Sequence, residues 1–136
     1  MQKLARVILF CAALGPFAAC HARAADPPRA ITPTVDVEIE DRAADKSVRT
    51  TRFALVLVDG RAKVATDDSD AKYSVEAHAL REAEPSFALK LARHAHDHSG
   101  EIAVDASIPQ RAGPRVLVAK IDRADGRTTV VSAQVH

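Results

Sequence analysis

The chain has 136 residues, enough for one domain, and its 19 basic and 18 acidic side chains give a formal net charge of +1. This near balance, with four Phe, one Tyr and no Trp, excludes the basic, aromatic surface typical of nucleic-acid binding. The sequence has no Gly-x-Ser-x-Gly elbow and no glycine-rich phosphate loop, and its two cysteines fall in the N-terminal apolar segment, so we expect no enzymatic activity.

Residues 1–24 have the pattern of a cleavable secretory signal peptide. Lys3 and Arg6 precede an apolar run of about 14 residues, which is too short to span a bilayer comfortably, and small residues at 22 and 24 suit cleavage after Ala24. The alternative is lipidation of Cys20, because Phe17-Ala18-Ala19-Cys20 resembles a bacterial lipobox, although Phe17 replaces the usual aliphatic residue. In both cases we expect the protein to be exported. Cleavage after Ala24 would give a periplasmic protein, and lipidation of Cys20 would give a membrane-anchored lipoprotein. Contact with a membrane is then expected only through the signal peptide or the Cys20 lipid.

Residues 25–34 contain three prolines and no hydrophobic periodicity, which predicts an extended tether before a single β domain at 35–136. At 34–40, Val35, Val37 and Ile39 alternate with acidic residues, as in a half-buried strand. The polar segment 40–49 then resembles a loop.

The next segments also predict strands. An apolar run at 53–58 indicates a strand buried on both faces at its centre, and Asp59-Gly60 predicts a hairpin into a strand at 61–66. A turn at 67–70 precedes a strand at 71–79. Residues 78–84 are compatible with either a strand or a helical turn, because they are rich in helix formers, and Pro85 ends either element.

Period-two alternation returns at 86–93 and at 102–108. The last two strands, at 115–122 and 128–135, are joined by a second hairpin signal at Asp125-Gly126. The chain therefore has about seven to eight short strands with no amphipathic helix between them. We expect an all-β fold, either an antiparallel sandwich or a small up-and-down barrel, preceded by the cleavable signal helix. An exposed edge strand would be available to an envelope protein partner.

Three histidines stand at alternate positions in the run His94, His96 and His98, with Asp97 among them. Alternate side chains of a strand share a face about 6.6 Å apart, so two imidazoles can converge on Zn or Cu, and a bend near Ser99-Gly100 would bring in the third. In such a bend Asp97 would serve as a further ligand or orient one. The competing interpretation is a polar hairpin tip without a physiological metal.

These observations favour a small exported bacterial β-domain without a required cofactor, acting as a non-catalytic binding, structural or accessory protein of the cell envelope. The alternative is a periplasmic transition-metal-binding protein that uses the run at 94–98.

Overall fold

The computed structural model describes residues 32–97 and 100–136, which form eight strands in two four-stranded sheets. In chain order the strands are β1 Thr34–Arg42, β2 Val48–Val56, β3 Arg61–Asp67, β4 Ala71–Leu80, β5 Ser86–Ala95, β6 Ile102–Pro109, β7 Val116–Asp122 and β8 Thr128–Val135. The predicted all-β fold is confirmed. The signal peptide, Cys20 and residues 25–31 of the predicted tether lie outside the described residues. In the described ranges, no helix has the length and apolar character of a membrane span.

The first sheet has the order β2-β1-β8-β7 and the second has the order β3-β4-β5-β6. All the paired strands are antiparallel. Neighbouring strands are consecutive in the chain except where β8 returns beside β1, and the connections β2–β3 and β6–β7 pass from one sheet to the other. The fold thus has the two sheets of a sandwich and the strand order of an up-and-down barrel.

The core lies between the two sheets and is built from alternate residues of the strands. The ring of Phe53 on β2 packs against that of Tyr73 on β4, with centroids 5.4 Å apart and planes tilted by 51°. The largest fully buried side chains come from both sheets: Val35, Val37, Ile39, Leu55, Val75, Phe87, Leu89, Leu91 and Val131. Each such side chain contributes about 1.5–3 kcal/mol relative to an exposed one.

The prediction that the run at 53–58 is buried on both faces is wrong. Phe53, Leu55 and Leu57 are buried, whereas Val56 and Val58 are 55% and 66% exposed. The physical reason is that the fold has two layers, so only the inner face of β2 meets the opposite sheet. A continuous apolar run is typical of central strands in three-layer folds and does not by itself show a second covering layer.

The tight turn predicted at Asp59-Gly60 is present, but it joins two sheets. Both residues have positive φ, 52° and 75°, as a type I′ turn requires, and Val58 and Arg61 exchange two backbone hydrogen bonds of 3.0 Å. The amide of Ala79 donates to the carbonyl of Gly60 at 2.7 Å, which fastens the turn to β4. The turn therefore carries the chain directly from β2 in the first sheet to β3 in the second sheet.

The ambiguity at 78–84 is resolved as a strand followed by a bend. β4 continues to Leu80, where it pairs with Ser86 of β5. Residues 81–85 form a short connection without a helical turn. The backbone ladder with β5 therefore outweighs the local helix propensity of Ala79 and Leu80.

A carboxylate on the outer face of the first sheet is held by two arginines. Oε2 of Glu38 accepts hydrogen bonds from Nε of Arg52 at 2.7 Å and from Nη1 of Arg115 at 2.8 Å. The bond from Arg52, followed by that from Arg115, lowers the pKa of Glu38 below its ordinary value. These ion pairs therefore stabilise the folded protein most at pH values at which Glu38 is ionised.

We predict that Glu38→Gln lowers the free energy of unfolding by about 1 kcal/mol at pH 7. A carboxyl whose folded pKa is lowered stabilises the protein above its unfolded pKa, about 4.3, and loses that contribution as pH falls through the folded pKa. The difference between variant and native chain should therefore shrink below about pH 4, as measured by urea unfolding at several pH values. Glu76→Gln, at an exposed position of β4, is the control. A Glu38→Gln deficit that stays constant down to pH 2 would contradict the prediction.

Candidate functional site

Four connections lie at the same end of the sandwich, because they join β1 to β2, β3 to β4, β5 to β6 and β7 to β8 in an up-and-down order. They surround a cavity of about 620 Å³. All four contribute lining residues, for example Ala43, Asp70, Asp97 and Arg123. The cavity is thus open at the loops and bounded below by the core.

The floor of the cavity is formed where the inward-facing positions change from apolar to polar. Asp41 follows Ile39 on β1, Thr129 precedes Val131 on β8, and Arg93 follows Leu91 on β5, each at a spacing of two. Strand periodicity therefore places these three polar side chains on the same inner faces as the core. Only 7% of the Arg93 side chain is exposed.

The buried guanidinium of Arg93 joins the two sheets. Its Nη1 donates to Oδ2 of Asp41 at 2.5 Å, and its Nε donates to the carbonyl of Gly100 at 2.9 Å. The other oxygen of Asp41 accepts from the hydroxyl of Thr129 at 2.6 Å. A buried charge is tolerated only when it is paired and hydrogen-bonded, and these contacts meet both conditions. They also fix the orientation of Arg93.

Two loops of matching conformation form one side of the cavity. In the β1–β2 loop, Asp45 accepts a hydrogen bond from the amide of Ser47, and in the β7–β8 loop Asp125 accepts one from the amide of Arg127. The residue between each pair, Lys46 or Gly126, has positive φ, 67° or 83°. The predicted hairpin at Asp125-Gly126 is confirmed in this form.

The β1–β2 loop is shorter than the segment predicted at 40–49. β1 continues to Arg42 and β2 begins at Val48, so only residues 43–47 connect the two strands. Sequence reasoning missed this turn because Lys46 occupies the position where glycine is usual.

Charged side chains of both signs surround the cavity at this end of the molecule. The cavity is lined by five arginines and three aspartates, although acidic residues outnumber basic ones in the described chain as a whole. The arginines are Arg42, Arg49, Arg93, Arg123 and Arg127, and the aspartates are Asp41, Asp70 and Asp97. At the rim, Arg49 is hydrogen-bonded to Asp70, which raises the pKa of Arg49. Arg42, Arg93 and Arg127 are likewise paired, with Glu40, Asp41 and Asp125, so the cavity is surrounded by ion pairs.

The histidine run crosses the end of β5, and its described members contact different neighbours. His94 lies on the strand with an exposed ring, and its Nδ1 is 3.8 Å from Oε1 of Glu101. Nε2 of His96 lies 3.1 Å from Oδ1 of Asp67 and 3.0 Å from the carbonyl oxygen of Asp68, both at the end of β3. His96 and Asp97 both line the cavity, and His98 lies outside the described residues.

Among residues 32–97 and 100–136, no three His, Cys, Asp or Glu side chains are grouped so that they could hold a metal. The proposed metal site needs His98, so it stays a prediction.

Sequence reasoning missed Asp41, Thr129 and Arg93. A signal was available, because the inward row Phe87, Leu89, Leu91 continues to Arg93 at the same spacing. The pairing of Arg93 with Asp41 joins residues 52 positions apart, and local patterns carry no information on such a partner.

Comparison with protein-family models, with curated proteins and with solved structures finds no match to this chain.

We predict that Asp41→Ala lowers the free energy of unfolding by about 2–4 kcal/mol, because it leaves the Arg93 charge buried without its counter-ion. Removing both charges in Asp41→Ala/Arg93→Met should cost less than Asp41→Ala alone, since the two effects are coupled. Asp105→Ala, on the exposed face of β6, is the matched control and should change stability by less than about 0.5 kcal/mol. Chemical denaturation measures all three. Equal losses for Asp41→Ala and Asp105→Ala would rule out the ion pair as a major support.

Gly126→Ala should destabilise the protein by about 1–2 kcal/mol, because its φ of 83° places an L-residue in the left-handed region. A Cβ at this position would meet the Cβ of Ala44 at an ordinary 3.5 Å, so the cost lies in the backbone. Gly113→Ala is the control, since its Cβ would lie 3.9 Å from the nearest atom. If thermal unfolding gives the same midpoint for both variants, the strain argument fails.

Proposed function

We propose that this chain is an exported, non-catalytic binding domain of the bacterial cell envelope whose ligand enters the cavity between the loops. The observation that carries the proposal is the buried Arg93 guanidinium at the cavity floor, held by Asp41 and by the carbonyl of Gly100. A polar group that is oriented before the ligand arrives avoids the entropic cost of ordering it on binding.

The size and lining of the cavity support a small-molecule ligand. Its 620 Å³ falls within the range of about 300–1,000 Å³ for such sites. Ala71, Tyr73 and Ala95 supply apolar surface beside the charged groups. A mixture of apolar walls and a few oriented polar groups is typical of ligand pockets.

The hydrogen bonds made by two carboxylates of the cavity lining favour ligand binding over catalysis. Asp41 is bonded to Arg93 and Thr129, and Asp70 is bonded to Arg49. A general base needs a carboxylate directed at the substrate proton, and these two are directed at protein donors. The export part of the proposal rests on the signal-peptide pattern at 1–24 and on its lipoprotein alternative at Cys20.

The test is a titration of the 15N-labelled processed protein with small molecules of anionic, neutral and cationic classes, followed by NMR. We expect chemical-shift changes at amides that line the cavity, such as those of Ala43, Gly100 and Thr129. Ala95→Phe, which places a large ring in the cavity, should abolish them. Ala103→Phe, at an exposed position of β6, should leave them unchanged. Shift changes confined to other surfaces, or equal effects of both variants, would contradict the proposal.

The same titration with Zn(II) and Cu(II) addresses the metal-binding alternative. On that hypothesis one equivalent of metal perturbs the rings of His94 and His96, and alanine at 94, 96 and 98 removes the effect. On the cavity hypothesis a His94→Ala variant keeps its response to the small molecule, because His94 is not part of the cavity lining, whereas His96 is.

A further inference from the structure

We infer that the outer face of the second sheet binds a second copy of this chain, about a two-fold axis that runs parallel to the strands. The inference goes beyond the proposed function, because this face forms a side of the sandwich whereas the cavity opens at its end.

A row of alternating charges crosses the middle of this face. Lys63 of β3 is paired in register with Glu76 of β4, and Glu76 is paired with Lys90 of β5. Lys90 is in turn paired with Asp105 of β6, so the signs alternate from one edge of the sheet to the other, beginning with plus at β3. All four side chains are exposed.

The charges of this row have no ion-pair or hydrogen-bond partner among residues 32–97 and 100–136. The outer face of the first sheet differs, because Glu38 is paired there with Arg52 and Arg115. The row on the second sheet therefore presents charges that a partner of complementary pattern is able to pair.

Other charges of the second sheet lie nearer the cavity and are already paired within the chain. Lys72 is paired with Asp67, and His94 with Glu101. This outermost row therefore has internal partners, and the central row is the part of the face that lacks them.

Small side chains separate these two rows and flatten the face. They stand in register across all four strands: Ala65, Ser74, Ala92 and Ala103. Beyond the charged row, Ala88 and Ser107 are a second pair of small residues on β5 and β6. Short side chains on both sides of the charges allow another sheet to approach to about 10 Å, the usual spacing of stacked sheets.

The order of the charges selects both the partner and its orientation. A two-fold axis along the strands, between β4 and β5, places β3 opposite β6 of the second copy and β4 opposite β5. Lys63 then faces Asp105 of the second copy, and Glu76 faces its Lys90, with each pair formed twice. A two-fold axis across the strands would place each side chain opposite its own counterpart, so like charges would meet. The row is therefore complementary to itself in the first arrangement and repulsive in the second.

The size of the face is that of a weak dimer. Four strands about 4.8 Å apart, with four outward rows about 6.6 Å apart, cover roughly 500 Å² per copy, at the lower end for specific interfaces. We expect a Kd of about 10 μM to 1 mM for such a contact. A dimer of this strength dissociates in the dilute samples used for unfolding. Since the axis runs along the strands, both copies present their cavities at the same end.

The experiment is sedimentation equilibrium of the processed protein from about 10 μM to 1 mM, with 1H–15N spectra over the same dilution series. We expect a reversible monomer–dimer equilibrium that weakens at least tenfold between about 50 mM and 500 mM NaCl, because salt screens the ion pairs. The amides of Ser74 and Ala92 should shift with protein concentration. The amide of Ser132, on the outer face of the first sheet, should not.

Charge-reversal variants test the pairing. Lys90→Glu should weaken self-association at least tenfold, because its new charge faces Glu76 of the second copy, and Glu76→Lys should do the same. A mixture of the two variants should form heterodimers of about native affinity, since every charge then again faces an opposite one. Lys120→Glu and Asp122→Lys, which make the same changes at exposed positions of β7, are the matched controls and should associate like the native chain. The 1H–15N spectrum of each variant establishes that it is folded.

A protein that stays monomeric at about 1 mM overturns the inference. Equal weakening by Lys90→Glu and Lys120→Glu also overturns it, since general charge would then explain the association. A third contrary result is a mixture of Lys90→Glu and Glu76→Lys that associates no more tightly than either variant alone. Ligand binding to the cavity is measured on dilute protein, so these outcomes leave the proposed function in place.

Discussion

The ion pair between the buried Arg93 and the partly exposed Asp41 is the contact on which the organisation of this molecule depends. It joins β5 of one sheet to β1 of the other at the level where the apolar core ends. A charge placed there must be compensated. Besides its bond to Asp41, the guanidinium of Arg93 donates to the carbonyl of Gly100, and Asp41 accepts from the hydroxyl of Thr129. The same contacts that satisfy the charge also set the floor of the cavity and the direction of the guanidinium within it.

The strands were predictable because each inner face is lined by residues of one kind at a fixed spacing. Val35, Val37 and Ile39 show this alternation, and both β1 and β5 have the predicted period-two pattern. The site was less predictable, because its inward-facing positions carry polar residues and so depart from that apolar pattern. Asp41 and Arg93 occupy inward positions, yet as charged residues they resemble the start of a loop when only the sequence is read. Their burial depends on each other, and that partnership appears only when the sheets face one another.

The surroundings of a strand, both its place in the sheet and what covers its outer face, were also not predictable from the sequence. The run Phe53–Val58 is apolar enough for a strand covered on both faces, but the fold has two layers, so the outer face of β2 is open, and β2 also lies at the edge of its sheet. β7 is likewise an edge, where a bulge between Leu117 and Ala119 interrupts the ladder with β8 and Leu117 remains exposed. Bulges of this kind make an edge a poorer template for pairing with another chain. Alternation tells which face of a strand is inward and does not tell what covers the other face.

The strand order also governs how the fold is reached. The hairpin ladders form between segments that are near in sequence, whereas β1 pairs with β8 across almost the whole domain, as in the pair Val35 and Val135. Closing so long a loop costs more entropy than closing a hairpin, and such contacts slow folding. The first sheet is therefore complete only when β8 has paired with β1. Until then β1 lacks one of its two neighbouring strands, so the docking of β8 removes an unpaired strand edge from the incompletely folded chain.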